Sequence, residues 1–149
     1  MAATIIYPTS ASELIKRTRH MSPAEKKETA AEYFSCGNML ESRKETQRLV
    51  NTTLDNVEIA RFYFEASAKL GHVEAQNKMG IYHSKGKGGL PINDEKAVEA
   101  FTEAANHGVD GCTQAKRNLA KCYARGLGGL YQDTDKPYLL LSEVLFATQ

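Results

Sequence analysis

The chain has 149 residues, 42% apolar and 25% charged, with 19 Lys plus Arg against 18 Asp plus Glu, the balance of an ordinary folded domain of common size. That length leaves no room for a second large domain, and a net charge of +1 gives no global attraction to nucleic acid or an anionic membrane. No apolar run approaches the ~18 residues of a membrane helix, and the opening Met-Ala-Ala-Thr-Ile-Ile-Tyr-Pro is too short and too soon polar for a secretory signal. The expected address is the cytoplasm, or a host cell reached without a cleaved signal.

Only 4 prolines and no tryptophan interrupt a sequence rich in Ala, Glu, Lys and Leu, and no stretch alternates strictly between polar and apolar residues, so the predicted fold is all-α. Cys36, Cys112 and Cys122 are odd in number and lack C-x-x-C spacing. They are expected as reduced thiols, at least two of them buried, rather than as a disulfide framework or a zinc site.

In chain order, Ser10 to Glu13 caps a short first helix through Arg19. Ser22-Pro23-Ala24-Glu25 is a capping box with proline at the first helical position. Ala30, Tyr33, Phe34, Gly37 and Leu40 follow at helical spacing and predict a helix over about 23–42. Glu41 to Asp55 is a charged, Thr/Asn-rich connection with room for a helical turn near Leu49.

The rest of the chain repeats. From Ala75 it reads A-Q-x-x-M-G-x-x-H-x-x-G-K-G-G-L, and from Ala115 A-K-x-x-L-A-x-x-Y-x-x-G-L-G-G-L, with Gly86, Gly88, Gly89 and Leu90 each 40 residues before Gly126, Gly128, Gly129 and Leu130. Between them, Ile59-Ala60, Phe64, Ser67-Ala68 and Gly71 return 37 residues later as Lys96-Ala97, Phe101, Ala104-Ala105 and Gly108, the difference being an insertion at Gly111 to Thr113. Each unit is helix, short loop, helix, and Gly37 occupies the place of Gly80 in a decayed unit. Ala97, Phe101, Ala104 and Ala105 share one stripe with Glu95, Glu99 and Glu103 on other faces, Asp94 is the expected N-cap, and Gly108 the expected left-handed C-cap. Ala68, Ala75, Ala97, Ala104, Ala105 and Ala115 permit close helix crossings, with Phe64 and Phe101 filling the layers.

This pattern, with D-x-x-K-A and A-A-x-x-G, resembles the Sel-one-like repeats, relatives of the tetratricopeptide repeats with a glycine-rich loop between the helices. The resemblance covers roughly residues 56–149. His83 stands in place of the usual Tyr, Ala120 of a Gly, Lys116 of a Gln and Pro137 of an Ala. It implies a short α-α superhelix of about six or seven helices in a single domain: degenerate N-terminal helices and connection over 1–54, two clear units over 55–134 and a capping helix over 135–149. Leu139, Leu140, Leu141, Val144 and Leu145 would form the closing face of that last helix.

Catalysis finds little support. His20, His72, His83 and His107 are scattered, with no H-E-x-x-H, no G-x-S-x-G and no carboxylate pair that repetition does not explain. His72 and His107 read as solvated residues beside helix-ending glycines. The glycine loops lack the G-K-[S/T] of a phosphate loop and read as chain reversals with positive φ.

If the first helix of each unit lines a concave face, as in the tetratricopeptide class, that face carries Asn77, Ile81 and Lys85 in one unit and Arg117, Lys121 and Arg125 in the next. Phe34, Asn38 and Ser42 are their counterparts in the decayed unit. A groove grading from apolar to basic suits an acidic or carboxylate-bearing peptide, with phosphate contacts open to Arg117 and Arg125. The expected function is a non-catalytic protein-interaction module acting as adaptor, inhibitor or host-directed factor, without cofactor, nucleic acid or membrane insertion. Two alternatives stay open: a penicillin-binding or β-lactamase-like hydrolase, as in cysteine-rich relatives whose paired cysteines recur with the repeat, and a structural assembly subunit. The apolar Phe62 and Tyr63 surface and the inserted turn are further candidate contact sites.

Overall fold

A computed structural model describes residues 7–43, 54–107, 112–130 and Pro137. Among these the regular elements are six helices: α1 (Ala11–Lys16), α2 (Pro23–Ser42), α3 (Asn56–Lys69), α4 (Val73–Lys85), α5 (Asp94–Ala105) and α6 (Thr113–Arg125). The helical turn near Leu49, the cap at Gly108, the insertion residue Gly111 and the closing helix over 135–147, apart from Pro137, lie outside the described residues. The chain divides between His72 and Val73 into two compact units.

In the first unit, α2 begins at the predicted capping box: Glu25 N–H donates to Ser22 Oγ at 3.4 Å, and Ser22 N–H donates to Glu25 Oε2 at 2.7 Å. α2 packs on α3 through Gly37, which lies against the Phe64 ring, and through Ser67, whose hydroxyl donates to the Ala30 carbonyl at 2.6 Å. Phe34 sits 5.7 Å from Phe64 and stacks on His72 with ring centroids 4.6 Å apart. His72 is therefore a packed residue, not the solvated one expected from its place beside Gly71.

α1 packs on α3 by Ala11 and Leu14 against Phe62 and Ala66, with Tyr63 and Tyr33 at the margin. This corrects the sequence reading of Phe62 and Tyr63 as an open apolar surface: Phe62 is 7% exposed beneath α1. α1 is also shorter than expected, stopping at Lys16 instead of Arg19. The Thr18 N–H and hydroxyl both bond to the Ile15 carbonyl, at 3.0 and 2.8 Å, which tightens the end of the helix into a turn.

In the second unit, Ala97, Val98, Phe101, Ala104 and Ala105 of α5 form one core cluster with Ala115, Leu119 and Cys122 of α6. α4 packs on α5 by setting Gly80 against the Phe101 ring. The Gly80–Phe101 contact repeats Gly37–Phe64, so the decayed first unit keeps the helix crossing whose loop it has lost.

The N-cap of α5 is Asn93, one residue before the expected Asp94; its side chain accepts the Lys96 N–H at 3.0 Å. The Asn93 N–H donates to the His83 carbonyl at 2.8 Å, which fixes where the chain enters the helix, and Asp94 keeps its charge in the first turn at the positive end. α4 and α6 both finish at left-handed glycines, Gly86 with φ +66 and Gly126 with φ +64. Lys87 N–H then reaches back to the Tyr82 carbonyl at 3.0 Å, and Leu127 N–H to the Cys122 carbonyl at 2.9 Å, the hydrogen-bonded closure that such caps provide.

All three cysteines are free. Only Cys122 is buried, contrary to the expectation of two; Cys112 sits at the N-cap of α6 and Cys36 on the half-buried side of α2.

Candidate functional site

The sequence Thr-Gln-Ala-Lys-Arg-Asn-Leu-Ala-Lys-Cys-Tyr-Ala-Arg of α6 separates by helical periodicity into two faces. Ala115, Leu119, Ala120 and Cys122 are buried, and Tyr123 is half-buried against the core. Arg117, Lys121 and Arg125, four apart, stand exposed on the opposite stripe. α6 holds four cations, counting Lys116, and no acidic residue. Among the described residues, Arg117, Lys121, Arg125 and Lys85 have no carboxylate within ion-pair distance.

α4 differs from the sequence expectation. Asn77 is 7% exposed, and its side-chain carbonyl accepts from Asn118 Nδ2 of α6 at 3.0 Å. Asn118 Oδ1 in turn lies 3.4 Å from Gln114 Nε2, so three amides run from α4 onto the outer edge of α6. Ile81 is half-buried and packs against the α5–α6 core. Of the three α4 positions, only Lys85, in the last turn, is exposed.

The structure thus gathers Arg117 and Lys121 around one hollow of ≈ 360 Å³, also lined by Gln114, Ala120, Ala124 and Pro137. Of these residues Ala120 is buried, 2% exposed, and the two cations are exposed. Gln114 and Ala124 escaped the sequence reading because neither is charged. Their spacing was visible, since each lies three residues from a basic position on the same face.

The other candidate chemistries dissolve into structure. Gln76, 4% exposed, donates to Glu103 Oε1 at 2.9 Å and pairs with His107 Nε2 at 3.1 Å; His107 is exposed, as expected, and is tied by one hydrogen bond to the first turn of α4. In the glycine loops, Leu90 N–H bonds to the Lys87 carbonyl and Leu130 N–H to the Leu127 carbonyl, each at 3.2 Å, as chain reversals do. A Cβ on Gly128 would meet the Asp94 carbonyl oxygen at 2.7 Å, so that glycine serves close packing on α5. Among the described residues no group of three or more His, Cys, Asp or Glu is placed to hold a metal ion, and no helix is long and apolar enough to cross a membrane.

Comparison with known proteins agrees with this architecture. The Sel1 repeat family model matches residues 53–72, 73–109 and 113–136, more than half of the chain. A crystal structure of a Sel1 repeat protein from Oxalobacter formigenes is similar in fold, with a TM-score of 0.63 at 19% identity, covering 91% of this chain and 45% of that one. The chain therefore spans less than half the length of that protein. No curated protein matches.

Proposed function

The chain belongs to the Sel1 repeat family, and from that premise we propose that it is a protein-interaction module whose contact surface is the exposed basic face of α6, extended by Lys85 of α4. Repeats of this family characteristically bind proteins and are generally non-catalytic scaffolds. The observation that carries the more specific reading is the set of exposed cations, Arg117, Lys121 and Arg125, aligned on one helix that has no acidic residue of its own. Such charges contribute little to folding and are suited to attracting an acidic partner. Asn77 acts from beneath by holding Asn118, and Ile81 acts as a core residue rather than a contact. The partner meets a row of exposed cations, an arrangement suited to an adaptor or inhibitor in the cytoplasm of the producing cell or of a host.

The test is selection of a random peptide library on the wild-type chain, with the triple variant Arg117→Ala, Lys121→Ala, Arg125→Ala as the comparison surface. The expected pool is rich in Asp and Glu and does not bind the variant. A pool without acidic enrichment that binds both proteins alike removes α6 as the contact surface.

A further inference from the structure

Counted from the equivalent positions Gly37 and Gly80, Glu32, Cys36 and Met39 of α2 occupy the places of Ala75, Met79 and Tyr82 in α4. In α6 the same places hold Ala115, Leu119 and Cys122. All six residues of α4 and α6 are buried, and those of α6 form one cluster with the preceding helix, α5. In α2 the face is open: Glu32 is exposed, Cys36 is half-buried and Met39 is 55% exposed, because α1 packs on α3 instead.

The opposite face is open on α6. Asn77 and Ile81 of α4 are engaged by the repeat that follows, Asn77 through Asn118 and Ile81 through the α5–α6 core. Their equivalents one unit on, Arg117 and Lys121, are exposed. The two open faces carry opposite charge. Glu28 and Glu32 stand exposed four residues apart beside Met39, while Lys26 and Lys27, the two cations of α2, fall on other faces of the helix.

We propose that the acidic partner of α6 is a second copy of this chain, which sets the Glu32 to Met39 face of its α2 against Arg117 and Lys121. This rests on the reading of α6 as the contact face and names the partner. The contact between α4 and α6 supplies the register: Asn118 lies against Asn77, and their equivalents are Ser35 of the incoming copy and Arg117. The Arg117 guanidinium then meets the Ser35 hydroxyl, an acceptor, with Glu32 three residues away, a rise of about 4.5 Å that a flexible Arg side chain spans. Met39 comes beside Lys121, whose methylene stem covers apolar surface while its ammonium stays in water. Glu28 adds to the attraction at longer range. Because the contact joins two different patches, each pair of copies still presents one face of each sign, and association grows with concentration.

The experiment follows the full chain by sedimentation from micromolar to millimolar concentration at low and moderate salt. The average mass of the wild type is expected to rise past twice that of the monomer at low salt and to fall back as salt is raised. Glu28→Lys with Glu32→Lys, and separately Arg117→Glu with Lys121→Glu, should each weaken the association about tenfold or more. An equal mixture of these two variants should regain it, since each reversed face then meets its complement. Glu95→Lys with Glu99→Lys on α5 changes the net charge as the α2 reversal does and should leave the association as in wild type. Melting temperatures are recorded throughout; where a reversal lowers them, Glu32→Gln and Arg117→Gln replace it, each expected to weaken the association severalfold. A wild type that stays monomeric at every concentration at low salt, folded reversals without effect, a mixture that stays dissociated, or an α5 variant that dissociates equally overturns the proposal. If one of these occurs while library-selected peptides still depend on the three α6 cations, the contact face stands and only the second copy is lost as its occupant. If those peptides are indifferent to the cations as well, both readings fall.

Discussion

Phe101 lies so close to Gly80 that a Cβ built on the glycine would meet ring atom Cδ1 at 2.5 Å, and Phe64 stands to Gly37 in the same way, with Cε1 at 2.6 Å. Phe101 is 3% exposed and Phe64 wholly buried, so neither ring has solvent to retreat into. Gly80→Ala gains about 1 kcal/mol of helix propensity, yet overpacking costs on the order of 1–3 kcal/mol, and with so short an approach the clash should win. Thermal melts should show a loss of several degrees. Shortening the ring in the same chain, by Phe101→Leu, should make the pair less damaging than the sum of its parts.

Ala104 has no exposed surface and lies in the α5–α6 core. Ala104→Leu should cost on the order of 1–3 kcal/mol in denaturant titration, because a close-packed crossing has no volume for three added carbons. An unchanged midpoint would mean that α5 presents a different face to its neighbours.

α6 starts without help. Cys112, at its N-cap with φ −64 and ψ 113, makes no side-chain capping bond, and the first turn has no acidic residue. Cys112→Ser keeps the extended backbone and supplies an acceptor, so it should stabilise the chain by about 0.5–1 kcal/mol in chemical denaturation. No gain would place the start of α6 elsewhere.

With no disulfide, a reductant should leave the melting temperature unchanged, where loss of a bridge costs about 2–5 kcal/mol. Burial, with a smaller contribution from Asp94, holds the Cys122 thiol above its ordinary pKa. The folded chain then keeps a proton that the unfolded chain loses near pH 8.5, so this group's contribution is intact below that pH and declines as pH rises toward the folded value. The slope of stability against pH above about 8.5 should be shallower in Cys122→Ala than in wild type, and native alkylation should leave Cys122 unmodified. Equal slopes would show that this thiol titrates alike in both states.

Features that depend on neighbours in sequence were legible before the structure. Ser22 and Glu25 are three residues apart and close their own box, and the 40-residue offset between glycine loops prescribed two identical helix ends. The equivalence of Gly37 and Gly80 also survived, because only glycine admits a phenyl ring at that crossing. What was not legible depends on distant partners. Asn77 looks like a surface residue until Asn118, 41 positions on, takes its carbonyl. Phe62 looks like an open apolar residue until α1, whose short sequence offers little but Leu14 as an apolar anchor, covers it. The choice of Asn93 over Asp94 as N-cap turns on one long-range bond to His83, since both side chains are competent caps. At the candidate site the charges were legible and the hollow between them was not: Ala120 and Ala124 acquire meaning only beside the side chains that stand around them.

The central claim concerns where this repeat protein meets its partner. Its most direct test is the ratio of dissociation constants of the Arg117→Ala, Lys121→Ala, Arg125→Ala variant and the wild-type chain for library-selected peptides at low ionic strength, with melting temperatures recorded alongside. Removing three exposed cations that pair with no carboxylate among the described residues should move stability little, with Arg125 contributing a few tenths of a kcal/mol at the helix C-terminus. Affinity should fall about tenfold or more, mainly through slower association, and the wild-type advantage should shrink as salt is raised. Equal dissociation constants at low salt, with both proteins folded, would contradict the assignment of α6 as the binding face.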